Sequence, residues 1–95
     1  MTYKLRFNSA ALKEWQKLNS AVKEQFKNKL MERLQNPCIP SAALSGMPHC
    51  YKIKLRQTGY RLVYHVDEKI VYVTVIAIGK RNRMEVYIKA GKRLR

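Results

Sequence analysis

Tyr51-Lys52-Ile53-Lys54-Leu55-Arg56, then Gln57-Thr58-Gly59, then Tyr60-Arg61-Leu62-Val63-Tyr64-His65-Val66, is the stretch that decides the fold. Tyr51, Ile53 and Leu55 alternate with three cations, the two-residue period of a half-buried strand. Gln57-Thr58-Gly59 has turn chemistry, so Tyr60 to Val66 reads as a second strand coming back along the first. Asp67-Glu68-Lys69 turns the chain again. Ile70 to Ile78 is a nearly continuous β-branched run, which predicts a central strand buried on both faces and ended by Gly79. If Arg61 is to share a face with Lys52, Lys54 and Arg56, the hairpin must set Lys54 opposite Arg61, because a slip of one residue turns Arg61 to the other face. Arg56 to Gly59 is then the loop.

The flanks supply helices. Tyr3-Lys4-Leu5-Arg6-Phe7 alternates like another strand, and Asn8-Ser9 offers a cap to a helix with Leu12, Trp15 and Leu18 on one side. Asn19-Ser20 interrupts the pattern and caps a second helix, whose Val22, Phe26, Leu30 and Leu34 lie four apart. Asn36-Pro37 stops it, since Pro cannot continue a helix and restricts its predecessor. Pro37, Pro40, Gly46 and Pro48 mark 37–49 as a connecting loop. Residues 82–94 suit a short last helix with Met84, Ile88 and Leu94 toward one side. Gly91 weakens its interior, so this segment is expected to be the easiest to detach. The order β-α-α-β-β-β-α predicts one α+β domain over 1–95, a helical hairpin packed on one face of a small antiparallel sheet.

Composition narrows the function. Among 95 residues, 20 Lys/Arg against 6 Asp/Glu leave a net charge of +14, while 46% hydrophobic residues supply a core and argue against disorder. Residues 1–47 hold eight basic and three acidic residues, a balance of +5; residues 48–95 hold twelve and three, a balance of +9. The second half is where a polyanion should bind, with RNA or DNA the first expectation and a basic protein that merely sits among nucleic acids the alternative. No run approaches the length of a membrane span, and no apolar signal core opens the chain, so a cytoplasmic protein is expected. Cys38 and Cys50 are too few for a disulfide framework and read as free thiols.

Lys52, Lys54 and Arg56 form the strongest constellation. Spaced two apart on a strand they lie roughly 6.5–7 Å from one another, close to the phosphate spacing of an extended nucleic-acid strand. The competing reading is an ordinary solvated sheet face. Gly79-Lys80-Arg81-Asn82-Arg83 is a basic segment at a strand end, where Lys80 can meet a phosphate and Arg81 or Arg83 can fork onto one, or where the loop simply caps the next helix. Tyr87 follows, its hydroxyl turned into the groove or its ring packed. No phosphate loop, nucleophile elbow or zinc spacing is present. Cys38, His49, Cys50 and His65 fit no metal pattern, and the six carboxylates form no cluster, so neither a metal nor a cofactor is expected. Metal-free RNA cleavage would proceed by attack of the 2′-hydroxyl on its neighbouring phosphate. That needs a base, positive charge for the phosphorane and an acid for the leaving 5′-oxygen. The sheet offers only His65 of the usual groups, but one lysine in a cationic cluster can titrate low enough to exchange protons.

Cys50 to Arg56, Gly59-Tyr60-Arg61-Leu62-Val63-Tyr64, Gly79-Lys80-Arg81, Ala11-Leu12-Lys13-Glu14-Trp15 and Leu44-Ser45-Gly46-Met47-Pro48 closely resemble the RelE family of toxins from bacterial toxin–antitoxin modules, over essentially the whole chain. The resemblance implies a microbial-ribonuclease-like fold and a ribosome-dependent mRNA endonuclease that cuts codons in the A site and so inhibits translation. The implied partners are a RelB-type antitoxin, the 70S ribosome and mRNA, with DNA met only through the antitoxin complex. Carried over by position, the family's catalytic residues fall on Lys52, Lys54, Arg61, Arg81 and Tyr87, with Tyr87 or a lysine as base; Arg56, Lys80 and Arg83 join them as RNA contacts. Ser45 departs from the pattern, since relatives often have Arg there. The alternatives are a ParE-like gyrase inhibitor without catalysis and a basic ribosome-associated RNA-binding protein.

Overall fold

A computed structural model describes residues 2–80 and 85–94. The elements are β1 (Lys4–Phe7), α1 (Ser9–Gln16), α2 (Ser20–Gln35), a single 3-10 turn at Pro40–Ala42, β2 (Cys50–Lys54), β3 (Tyr60–Asp67), β4 (Tyr72–Lys80) and α3 (Glu85–Arg93). Both caps act as read: Asn8 Oδ1 accepts the Ala10 amide and Asn19 Oδ1 the Val22 amide, each at 2.9 Å. Asn36 ends α2 in front of Pro37.

The sheet order is β1-β4-β3-β2, so the long apolar strand β4 lies inside the sheet as expected. One feature corrects the antiparallel expectation: β1 runs parallel to β4, Lys4 opposite Tyr72 and Phe7 opposite Val75, and the sheet is mixed. The two helices between β1 and β2 carry the chain across one face, from one edge of the sheet to the other. β4 also begins later and ends later than its composition suggests. Asp67 Oδ1 accepts the amides of Lys69 and Ile70, which keeps Ile70 in the turn, half exposed. Gly79 is a paired residue of the strand, not its terminus.

Two apolar layers sandwich the sheet. On one face Ala11, Val22, Phe26 and Leu30 from α1 and α2, with Leu18 between the two helices, meet Ile53, Leu62, Tyr64, Val73, Val75 and Ile78. Trp15 bridges this layer, its ring 5.3 Å from Phe7 and 6.4 Å from Phe26. Leu12, expected inside, is exposed; Ala11 occupies the buried position next to it. Tyr64 is fully buried and satisfied, donating to Pro37 O at 2.7 Å and accepting from Arg33 at 2.9 Å.

The opposite face carries α3, which the hairpin-on-one-face picture does not include. Val86 and Ala90, one turn apart, close over Cys50, Val63, Ile76 and Ala77, with Leu44, Met47 and Tyr87 around them. The apolar stripe read from the sequence is therefore on the wrong side. Ile88 and Leu94 are 55% and 41% exposed, whereas Val86 and Ala90 are buried, and Met84 lies outside the described residues. Among the described residues, no helix is long and apolar enough to cross a membrane.

Candidate functional site

The β2–β3 register decides what shares a face. Lys54 stands opposite Arg61 and Lys52 opposite Val63. Beyond the ladder, Leu55 N donates to Tyr60 O at 2.9 Å and Gly59 N to Leu55 O at 2.8 Å, so Arg56 to Gly59 is the loop, as read. Gly59 sits at φ +77, a left-handed conformation that favours glycine and closes this loop tightly. Arg61 in turn pairs with Gly79 on β4. Directly opposite residues of an antiparallel pair point to one face, so Lys52, Lys54 and Arg61 converge on the face that α3 covers only in part.

Tyr87 closes the group from above. Its ring packs on the α3 layer and its hydroxyl accepts from Arg61 Nη1 at 2.9 Å, with the guanidinium carbon 5.7 Å from the ring centre. The two readings of Tyr87, packing and pointing into the groove, are thus both realised by different ends of one side chain. With its oxygen held by Arg61, the Tyr87 O–H is left to donate into a cavity of about 400 Å³ lined by Ala43, Leu44, Ser45, Met47, Lys52, Arg61 and Tyr87. A second cavity of about 340 Å³, bounded by Lys54, Leu55, Arg56, Gly59 and Arg61, shares Arg61 with the first. A cationic trough thus runs from Lys52 past Arg61 to Arg56. Ser45 lines the first of these cavities. None of the described residues lining these two cavities is Asp, Glu, His or Cys, the side chains that hold divalent ions. Among the described residues, no group of three or more His, Cys, Asp or Glu is placed to hold a metal.

Of the remaining candidates, Lys80 lies elsewhere. Lys80 pairs with Tyr60, one residue out of phase with Arg61 and Gly79, and its Nζ lies 5.4 Å from the centre of the Tyr60 ring; it belongs to the opposite face of the sheet. Arg81 and Arg83 fall outside the described residues. His65 is four residues along β3 from Arg61, about 13 Å at strand spacing, too far to serve the same phosphate. It stands edge-on to His49, ring centres 6.2 Å apart, and burial and His49 push its pKa down. Neither thiol is activated: burial pushes Cys50 up to about 11, and burial together with the hydrogen bond to Glu68 raises Cys38. The sequence reading missed Gln25, Asn28 and Lys29 of α2, which line a further cavity with Lys54 and Arg56. It also missed Glu14, Lys89 and Arg93, which tie α1 to α3. No local pattern signals either group, because each is assembled from distant parts of the chain.

Comparison with known proteins connects this chain and its fold, a mixed four-stranded sheet with a helical pair on one face and a short helix on the other, to toxins. Residues 5–85 match the family described as "ParE toxin of type II toxin-antitoxin system, parDE", and the chain belongs to it. Within this class its likeness is to RelE. The mRNA interferase toxin RelE of Escherichia coli K12 is 57% identical over 94 residues, 99% of either chain. The free structure of an E. coli RelE carrying two arginine-to-alanine substitutions superposes with a TM-score of 0.93 at 55% identity, covering both chains in full. RelE in the intact E. coli RelBE toxin–antitoxin complex matches at TM-score 0.82 and 57% identity, over 85% of this chain and 99% of that one. The family resemblance read from the sequence is borne out, as are the α+β class and the order of elements.

Proposed function

We propose that the protein is the toxin of a type II toxin–antitoxin pair and acts as an mRNA interferase, a metal-independent endoribonuclease that cuts mRNA in the ribosomal A site. What carries this reading is the convergence of Lys52, Lys54 and Arg61 on one open face, with the Tyr87 hydroxyl 2.9 Å from Arg61. A phosphodiester seated between them meets donors on three sides. The 2′-hydroxyl attacks phosphorus, its proton passing to Tyr87 in its phenolate form or to a lysine in its neutral amine form. Arg61 and the lysines neutralise the dianionic phosphorane, and a protonated group returns a proton to the departing 5′-oxygen. The products are a 2′,3′-cyclic phosphate and a 5′-hydroxyl. Arg61 suits the equatorial oxygens because its planar fork presents parallel N–H donors, which the Tyr87 hydrogen bond pre-orients.

The ribosome enters because the trough has cations but no dedicated His–carboxylate pair. Alignment of the 2′-oxygen with the leaving oxygen must then come from the substrate's surroundings, and holding mRNA in an in-line geometry supplies a large share of the barrier reduction. The antitoxin of the RelBE complex is the model for the partner: an acidic or amphipathic segment that covers a +14 toxin neutralises it electrostatically and blocks the trough.

Primer extension on an mRNA in translating ribosomes, with and without the purified protein, tests the reading. New ends inside A-site codons, absent when the same RNA is offered free, are expected. Intact mRNA together with inhibited DNA supercoiling would favour the gyrase-directed alternative, and intact mRNA with intact supercoiling would leave only RNA binding.

A further inference from the structure

β1 ends at Phe7, opposite Val75, and the β3–β4 register steps from Ala77 to Val75, passing over Ile76. Beyond that point, among the described residues, no strand lies beside the edge of β4 that faced β1, and backbone groups left there need other partners. Three side chains provide them. Arg93 Nη1 donates to Ile76 O at 2.8 Å, Lys89 Nζ to Ile78 O at 3.3 Å, and the Ile78 amide donates to Glu14 Oε1 at 3.1 Å. The same carboxylate binds the two cations: Arg93 reaches Oε1 at 2.8 Å and Oε2 at 3.3 Å, and Lys89 is ion-paired to Oε2. Glu14 is only 21% exposed. One carboxylate on α1 therefore joins the first helix, the edge of β4 and two turns of α3.

The location matters more than the count of bonds. Lys89 and Val86 pass close over Gly79, where an added Cβ would lie 3.5 Å from Lys89 Nζ and 3.7 Å from Val86 Cβ. Gly79 is the partner of Arg61, and Arg61 holds Tyr87, which sits between Val86 and Lys89 in the chain. Glu14, α3, Tyr87, Arg61 and β4 form a closed mechanical loop, in which the height and rotation of α3 fix where the Tyr87 hydroxyl stands.

We propose that Glu14 is a positioning residue of the active site: by clamping Lys89 and Arg93 it holds α3 in the one seating that sets the Tyr87 hydroxyl against Arg61 over the trough. This goes beyond the nuclease reading and rests on it only for its catalytic consequence. Glu14 touches no substrate. The β4 edge is served by the bonds of Lys89 and Arg93 to Ile78 O and Ile76 O and by the Ile78 amide; the further bonds from Lys89 and Arg93 to the Glu14 carboxylate cap no backbone group and tie α3 to α1.

The test uses the full chain and two kinds of readout. Glu14→Gln keeps an acceptor for the Ile78 amide but removes the charge that gathers Lys89 and Arg93; Glu24→Gln, on the exposed side of α2, makes the same charge change elsewhere. In the free protein, hydrogen exchange of the Val86–Lys92 amides and the NMR signals of the Tyr87 ring report the seating without reference to activity. E14Q should exchange α3 amides at least tenfold faster and shift Tyr87, and E24Q should do neither. Unchanged α3 protection and an unchanged Tyr87 signal in E14Q overturn the clamp, whatever the protein cleaves. In ribosomal mRNA cleavage, E14Q should lower kcat about ten- to a hundredfold, with KM unchanged, because displacing a group at the reacting centre by a fraction of its reach costs on that order. In a Tyr87→Phe background E14Q should have no further effect. Effects of E14Q and Y87F that multiply independently, or a lowered Tm with kcat intact well below it, show a merely structural residue and overturn the proposal. A wild type that cuts no mRNA removes the nuclease reading while the exchange and NMR arms still decide the clamp.

Discussion

Val86→Ala and Ile88→Ala distinguish the seating of α3 from the one its hydrophobic residues suggest. Val86 is 1% exposed and packs on Cys50, Val63, Ile76 and Ala77; Ile88 is 55% exposed. Val→Ala deletes two methyl groups, a transfer loss of about 1.6 kcal/mol at roughly 0.8 kcal/mol per buried carbon. An incompletely collapsed cavity adds to this, and the better helix propensity of Ala takes back about 0.5 kcal/mol. The expected net cost is about 2 kcal/mol, which in a domain of this size lowers Tm by roughly 10 °C. Ile88→Ala should stay within about 0.5 kcal/mol of wild type, as surface changes usually do. Thermal melts followed by circular dichroism at one protein concentration measure both. Equal losses, or a larger loss for Ile88→Ala, would mean that α3 is rotated with Ile88 inward. That rotation carries Tyr87 off the trough, and the reasoning that joins Tyr87 to Arg61 would fall with it.

Arg61→Ala should lower the cleavage rate by about a hundredfold or more, the usual cost of removing a donor aimed at developing negative charge, with the fold retained in circular dichroism. Binding of a short single-stranded RNA should weaken with salt at a slope of about −3 in log–log form if Lys52, Lys54, Arg56 and Arg61 each neutralise a phosphate; filter binding across salt concentrations gives the slope, and a flat line would remove the trough as the RNA site. Acid should loosen α3. Burial opposes ionisation of Glu14, but hydrogen bonds from Arg93, Lys89 and the Ile78 amide outweigh it and hold its pKa below the usual value. A depressed carboxylate pKa contributes stability that is complete above the unfolded value, about 4.3, and is lost as pH falls through the folded one. Melts of wild type and E14Q should therefore differ at pH 6 and converge toward pH 3; a constant gap would contradict this.

The parts of the fold that local chemistry controls were readable. Alternation marks β2, the turn at Gln57-Thr58-Gly59 marks β3 after it, asparagines mark both helix starts, and the four-residue loop with Gly59 sets the register that brings Arg61 beside Lys54. What failed depends on contacts between distant segments. Nothing within Tyr3–Phe7 says that the strand will lie parallel to β4, some 68 residues away at Arg6 and Thr74. The large side chains of α3 point to the wrong face, because the helix sits close to Gly79 and Ala77 and buries Val86 and the small Ala90 beneath it. Lys80 reads as an RNA contact from its basic neighbours in sequence, although it is one residue out of phase with Gly79 and so lies on the other face. Glu14 meets Lys89 and Arg93 across 75 and 79 residues, a distance at which periodicity carries no signal.

In the proposed reaction the trough of Lys52, Lys54, Arg61 and Tyr87 makes the 2′-hydroxyl of the mRNA the nucleophile. The most direct measurement replaces that one hydroxyl with hydrogen in a synthetic mRNA, at the nucleotide 5′ to the scissile phosphate of the A-site codon, and follows cleavage on programmed ribosomes. Cleavage at that bond should disappear, while the all-ribose mRNA is cut to a fragment ending in a 2′,3′-cyclic phosphate. Cutting of the 2′-deoxy message at an undiminished rate, or a product bearing a 3′-hydroxyl, would contradict the account by showing that water, activated by some other group, attacks the phosphate.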